Sequence, residues 1–271
     1  MRSPILVPLD GSEEGLAALP VAKVLGKIHQ ASLCLAHVAE KEPADPGLVR
    51  RLDRLARELA TVPVELRTGK PAAQILRLAK EIEPRMIVLC HRTAATPRRT
   101  LGSTAAAMLG EASQPLVLVP RERGAAPWHL QHILVPHDGT PSTSVGLKPV
   151  AALAELAGAE LLIAHVTDVR ALRGEPGSLT ASPYVDQPQH EWPAWTAEFV
   201  RRFACICPLG HLHPRMLLAH GNPAAELLRL AEEQATDLMV LAWRGVLKAP
   251  RAAVLREILE RAHCPLLVVR V

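Results

Sequence analysis

The chain has 271 residues, 49% of them apolar and only 3% aromatic, with 31 Lys and Arg against 27 Asp and Glu for a formal charge of +4. A chain this apolar can bury enough surface to offset its ordering entropy, which excludes intrinsic disorder, and no apolar run reaches the roughly 18 residues of a membrane helix. The positive balance lies in residues 1–127, with 18 basic against 13 acidic residues and no Phe, Tyr or Trp, so a nucleic-acid groove of basic and stacking side chains is not expected.

The chain opens MRSPILVPLD and enters a strand at once, with no apolar segment leading to a small-residue cleavage site. Five cysteines, Cys34, Cys90, Cys205, Cys207 and Cys264, are too few and odd in number for a secreted disulfide framework. A reducing, cytoplasmic setting is expected.

Ile5 to Leu9 is a short continuous apolar run closed by Asp10-Gly11, the pattern of a strand buried on both faces. Ser12 has the chemistry of an N-cap, and Glu13 and Glu14 follow in a first turn that favours acids, so a helix is predicted to run on to Ile28. Leu33 to Val38 reads as a second strand. Residues 47–60 place Leu48, Leu52, Leu55 and Leu59 on one face among arginines, an amphipathic helix. Val62 to Arg67 is a third strand, Pro71 to Ile82 a helix opened by Pro, and Met86 to Cys90 a fourth strand. A helix over Ser103 to Ala112 and a strand over Leu116 to Val119 complete the series.

The series then repeats. Ile5-Leu6-Val7-Pro8-Leu9-Asp10-Gly11 returns as Ile133-Leu134-Val135-Pro136-His137-Asp138-Gly139 at a shift of 128, and Ala36-His37-Val38 returns as Ala164-His165-Val166 at the same shift. Gly69-Lys70-Pro71-Ala72-Ala73 matches Gly221-Asn222-Pro223-Ala224-Ala225 at a shift of 152, so the second copy carries 24 extra residues in between. Pro115-Leu116 matches Pro265-Leu266. Two domains are therefore expected, 1–121 and 130–271, separated by the Arg-, Gly-, Ala- and Pro-punctuated stretch around Pro120 to His132. Alternating strands and helices make each an α/β domain with a doubly wound, five-stranded, mostly parallel sheet flanked by helices. In such folds ligands sit outside the carboxyl ends of the strands, at the switch in strand order. Asp10, Val38 and the loop from Cys90 to Ser103 lie there.

These residues resemble the universal stress protein family in its tandem form, a fold related to the adenine nucleotide alpha hydrolases. The resemblance rests on the Pro-x-Asp-Gly-Ser/Thr turn, the Ala-His-Val strand end, the Gly-x-Pro-Ala-Ala helix start and the closing Pro-Leu strand, in order and twice over. It implies a stress-response role and an adenine-nucleotide site, ATP in many members, at a loop reading Gly, two residues, Gly, about nine residues, then Gly-Ser/Thr. Glycines there let amides approach phosphate, and the last pair opens a helix whose N-terminus attracts anions.

In the first copy Cys90 and Thr93 stand at the first two glycine positions and Gly102-Ser103 keeps the last pair. His91, Arg92, Arg98 and Arg99 add charge able to bind phosphate or simply to face solvent. By this resemblance Pro8 and Asp10 lie near the ribose or base, Val38 and Leu89 around the adenine, and Cys90, Arg92, Gly102, Ser103 and Thr104 toward the phosphates. In the second copy Asp138, Val166 and Leu241 match the adenosine side, but Ala252-Ala253 replaces Gly-Ser and the loop is shorter, so that site is degenerate.

The alternative to nucleotide binding is an interaction scaffold acting through homodimerisation or partner contacts. The two domains are expected to pair within the chain across their fifth strands, as a pseudo-dimer. Catalysis finds no support: there is no Gly-x-Ser-x-Gly elbow, Walker A loop or metalloprotease His-Glu pair, although slow ATP hydrolysis is compatible with the family. Cys205, Cys207, His211 and His213 carry zinc-ligand chemistry, yet their spacing fits no finger or ribbon, so no zinc is expected. His37 and His165, repeated at one place, suit either a cleft or a core edge where a backbone carbonyl holds the ring. The insert of roughly residues 170–189 reads as a loop leading into Trp192, Trp195, Phe199 and Phe203 on one helical face, with Tyr184 at its margin.

Overall fold

The computed structural model describes residues 3–40, 45–59, 62–91, 101–139, 143–144, 147–167, 211–243 and 252–271. The predicted insert, the helix bearing Trp192 to Phe203, Cys205, Cys207 and the arginines of the Cys90–Ser103 loop lie outside them.

The described residues gather into two compact units, Met1–His129 with Gly245–Arg270, and Leu130–Arg244. In the first, strands β1 (Ile5–Pro8), β2 (Leu33–Ala39), β3 (Val64–Thr68), β4 (Met86–His91) and β5 (Leu116–Pro120) alternate with helices α1 (Ala18–His29), α2 (Pro46–Glu58), α3 (Pro71–Ile82) and α4 (Ser103–Glu111). The sheet order is β3-β2-β1-β4-β5 and every one of these neighbours is parallel, with Ile5 opposite both Leu33 and Met86. The chain leaves β1 toward β2 and β3, then returns to the other side of β1 as β4. The switch point therefore lies between β1 and β4, and it fixes where a ligand has room.

The core is aliphatic, as the shortage of rings demands: Ile5, Leu6, Leu25, Leu35, Leu52, Leu78, Ile87 and Leu118 are fully buried. Each such side chain contributes about 1.5–3 kcal/mol on burial. Helix α2 is capped by Asp45, which accepts from the Gly47 amide at 3.0 Å.

Two local boundaries differ from the sequence expectation. Strand β3 begins at Val64 rather than Val62, and the helix after β1 opens with a 3₁₀ turn over Glu14–Ala17. Pro20 accounts for the second difference. It has no amide to donate and its ring displaces the carbonyl of Leu16, so regular α-helix starts only at Ala18, with Pro20 in its first turn. Ser12 still works as a cap, its hydroxyl accepting from the Gly15 amide at 3.0 Å.

The second unit holds β6 (His132–Pro136), α5 (Leu147–Ala157), β7 (Glu160–Thr167), β8 (Arg215–His220), α6 (Pro223–Glu233) and β9 (Leu238–Trp243). Its parallel order β9-β6-β7-β8 reproduces β4-β1-β2-β3 of the first. The last elements, α7 (Ala252–Arg261) and β10 (Leu266–Arg270), belong to the first unit, where β10 runs antiparallel along β5. Leu266 faces Leu118 and Val268 faces Leu116. Arg270 of β10 donates to the Ala112 carbonyl at 3.1 Å, beyond the end of α4.

Candidate functional site

The first site forms where β1 ends. Gly11 takes a left-handed φ of +84°, which turns the chain sharply after Asp10 and would strain any side chain. Asp10 Oδ1 accepts from the Ser12 amide at 3.0 Å and from the Ser12 hydroxyl at 2.6 Å. The space it occupies exists because residue 15 is glycine: a Cβ there would lie 2.5 Å from Oδ1. Asp10 Oδ2 accepts from the guanidinium of Arg121, the residue directly after β5. Partial burial would raise the Asp10 carboxyl, but the two Ser12 bonds and Arg121 outweigh it and hold the group below its ordinary 3.8.

Cys90 closes β4 against this turn. Its thiol donates to the Gly15 carbonyl at 3.1 Å, and burial pushes its pKa up to about 12. It is therefore a neutral tie between β4 and the 3₁₀ turn, which sequence reasoning placed only at a glycine position. His91, next along, is buried at the strand end. Leu89 sits in the core at 4% exposure, whereas Pro8 and Val38 are half-buried at the strand ends.

Gly102 and Ser103 are exposed and open α4, with Thr104 half-buried behind them. Gly102 has an ordinary φ of −56°, and a Cβ on it would meet nothing within 4 Å among the described residues. A helix N-terminus of this kind attracts anions. Arg92 lies outside the described residues.

Arg121 is the residue that sequence reasoning missed. The register places Pro120 opposite His91, so the next residue emerges beside the exit of β4. That neighbourhood was implicit in the doubly wound strand order, but the partner, Asp10, stands 111 positions away.

The second site is rebuilt. His137 replaces Leu9, and its buried ring accepts from the Gly139 amide at Nδ1 over 2.9 Å. The proton therefore sits on Nε2, which lies 3.0 Å from the Ser144 hydroxyl. Burial pulls the His137 pKa down to about 4. Asp138 accepts from the Thr143 hydroxyl. Val166 is half-buried and Leu241 buried.

His165 is buried and donates from Nδ1 to the His137 carbonyl at 2.8 Å; burial lowers its pKa as well. His37 makes the same 2.8 Å bond to the Leu9 carbonyl. Both histidines thus pin the second strand of their unit to the end of the first. His211 and His213 are exposed, and no cluster of three or more potential metal ligands occurs among the described residues. Nor is any helix among them long and apolar enough to cross a membrane.

This is a doubly wound α/β protein in tandem, with a carboxylate at the switch point of its first sheet. The family model described as the universal stress protein family matches residues 1–120 and again 129–270, and the chain belongs to that family. No curated protein sequence matches it. Among solved structures, a universal stress protein from Archaeoglobus fulgidus is 18% identical with a TM-score of 0.65, the alignment covering 98% of each chain. A functionally unknown protein from Pseudomonas aeruginosa is 17% identical with a TM-score of 0.70, over 99% of this chain and 92% of that one. At these identities the likeness is one of fold. A universal stress protein solved in complex with cAMP covers 52% of this chain at 19% identity and a TM-score of 0.37.

Proposed function

We propose that the first unit binds an adenine nucleotide, ATP or a relative, in the crevice between β1 and β4, and that the second unit no longer takes a triphosphate. The observation that carries this reading is the Asp10 carboxylate, held ionised at the switch point on the same sheet end as β4, whose loop leads to the Gly102-Ser103 helix start. A carboxylate accepts from ribose hydroxyls or an adenine amino group, and a helix N-terminus suits phosphate. In the second copy of the sequence Ala252 is fully buried where the first has an exposed Gly102, and the His137 ring is bonded to Ser144 within the turn. Pairing of β5 with β10 supports a pseudo-dimer within one chain.

Calorimetric titration of ATP into the full chain tests the reading. Asp10→Ala is expected to weaken binding by about tenfold or more, roughly 1.4 kcal/mol, and Ser103→Ala by less. Absence of heat with the wild-type chain, and of nucleotide in the purified protein, would leave the second reading: a scaffold whose partner contacts carry a stress-response role. The internal pairing of Asp10 with Arg121 is what favours that second reading.

A further inference from the structure

Both oxygens of Asp10 are engaged by the chain itself. Ser12 holds Oδ1 through its amide and hydroxyl, and Arg121 donates to Oδ2. The Arg121 side chain is only 19% exposed, and its buried Nε has no hydrogen-bond partner among the described residues. Oδ2 thus keeps one open acceptor position, and a ligand that brings two donors to Asp10, as vicinal ribose hydroxyls do, must displace the guanidinium to find the second.

We propose that Arg121 is a latch on the first cleft, and that it makes the cleft select nucleotides over nucleosides. The inference rests on the nucleotide reading of this site. Opening the pair leaves two half-buried opposite charges in need of partners, which is a penalty any ligand must offset. A nucleoside supplies donors for Asp10 but nothing for Arg121. A nucleotide supplies both, because its phosphate can take the planar guanidinium through two bonds, the unused Nε included. Selectivity then comes from the charge that the wrong ligand strands, not from added contact with the right one.

Calorimetry on the full chain with adenosine, AMP and ATP tests this in the wild type and in Arg121→Gln. The wild type is expected to bind AMP at least about tenfold tighter than adenosine, and the variant to gain about tenfold for adenosine so that the two ligands draw level. If Arg121→Gln does not fold, Arg121→Lys keeps the charge, loses the fork, and is read in the same direction with a smaller change. Equal adenosine affinity in wild type and variant would overturn the latch while leaving the nucleotide site standing. If none of the three ligands binds any variant, the nucleotide reading falls and selectivity with it. The latch is then decided in the ligand-free chain by carbon NMR of the Asp10 carboxyl: its midpoint rises in Arg121→Gln if the pair holds, and an unmoved midpoint overturns it.

Discussion

At the scale of single residues, the two copies of one turn both lose stability in acid, but over different pH ranges. His137 is neutral when folded, with a pKa near 4, against an ordinary 6.5 when unfolded. The unfolded chain then binds the proton that the folded one refuses, so the associated stability is complete above about pH 6.5 and is lost as pH falls toward 4. Its size is on the order of 3 kcal/mol at full development. Urea unfolding of wild type and His137→Leu, the residue type of the first copy, should show the difference between them shifting in favour of the variant from pH 7 to pH 5. Asp10 behaves in the same direction, along the carboxylate range. Its lowered pKa means stability that is present above its ordinary 3.8 and lost as pH falls through the folded value, so Asp10→Asn should flatten the stability profile below about pH 4.

The Asp-Gly turn was readable as a turn and Asp10 as a candidate ligand, since chain chemistry and spacing are local. The Arg121 partnership and the Cys90 tie to Gly15 were not, because each joins residues far apart in sequence and depends on strand register that no local pattern reports.

At the scale of elements, the repeat offers an internal control. Helices α3 and α6 occupy equivalent places, each with Pro at its first position, and the residues before them share one backbone conformation, φ −69° and ψ 120° at Lys70 against φ −68° and ψ 119° at Asn222. Only Asn222 caps, accepting from the Ala225 amide at 3.0 Å. Lys70→Asn is expected to stabilise the first unit by about 0.5–1 kcal/mol and Asn222→Lys to destabilise the second by a similar amount, both read from denaturant midpoints. Strand and helix order emerged from the sequence because short apolar runs and cap chemistry are stronger signals than their exact ends. The 3₁₀ turn before α1 was not foreseen, although Pro20 was in view, because Ser12 and the two acids advertise a helix start that the proline then delays by one turn.

At the scale of the whole molecule, the repeat offsets made two copies legible, yet the last helix and strand of the second copy cluster with the first unit. The fifth strands pair antiparallel, so the β5 edge, with Leu116, Val117 and Leu118, is covered by β10 of the same chain. An uncovered apolar strand edge recruits another chain. The 271-residue chain is accordingly expected to sediment as a monomer, whereas deletion of β10, Leu266–Arg270, should produce dimers or larger species in sedimentation velocity.

That covering strand is made long after the strand it covers. β5 is complete when Pro120 has emerged, but its partner Leu266 leaves the ribosome only after the whole second copy has been translated. At ordinary elongation rates that interval is roughly ten to thirty seconds. During it the nascent first copy holds an open edge that a neighbouring chain on the same message can occupy, so the yield of correctly closed protein depends on how crowded the polysome is.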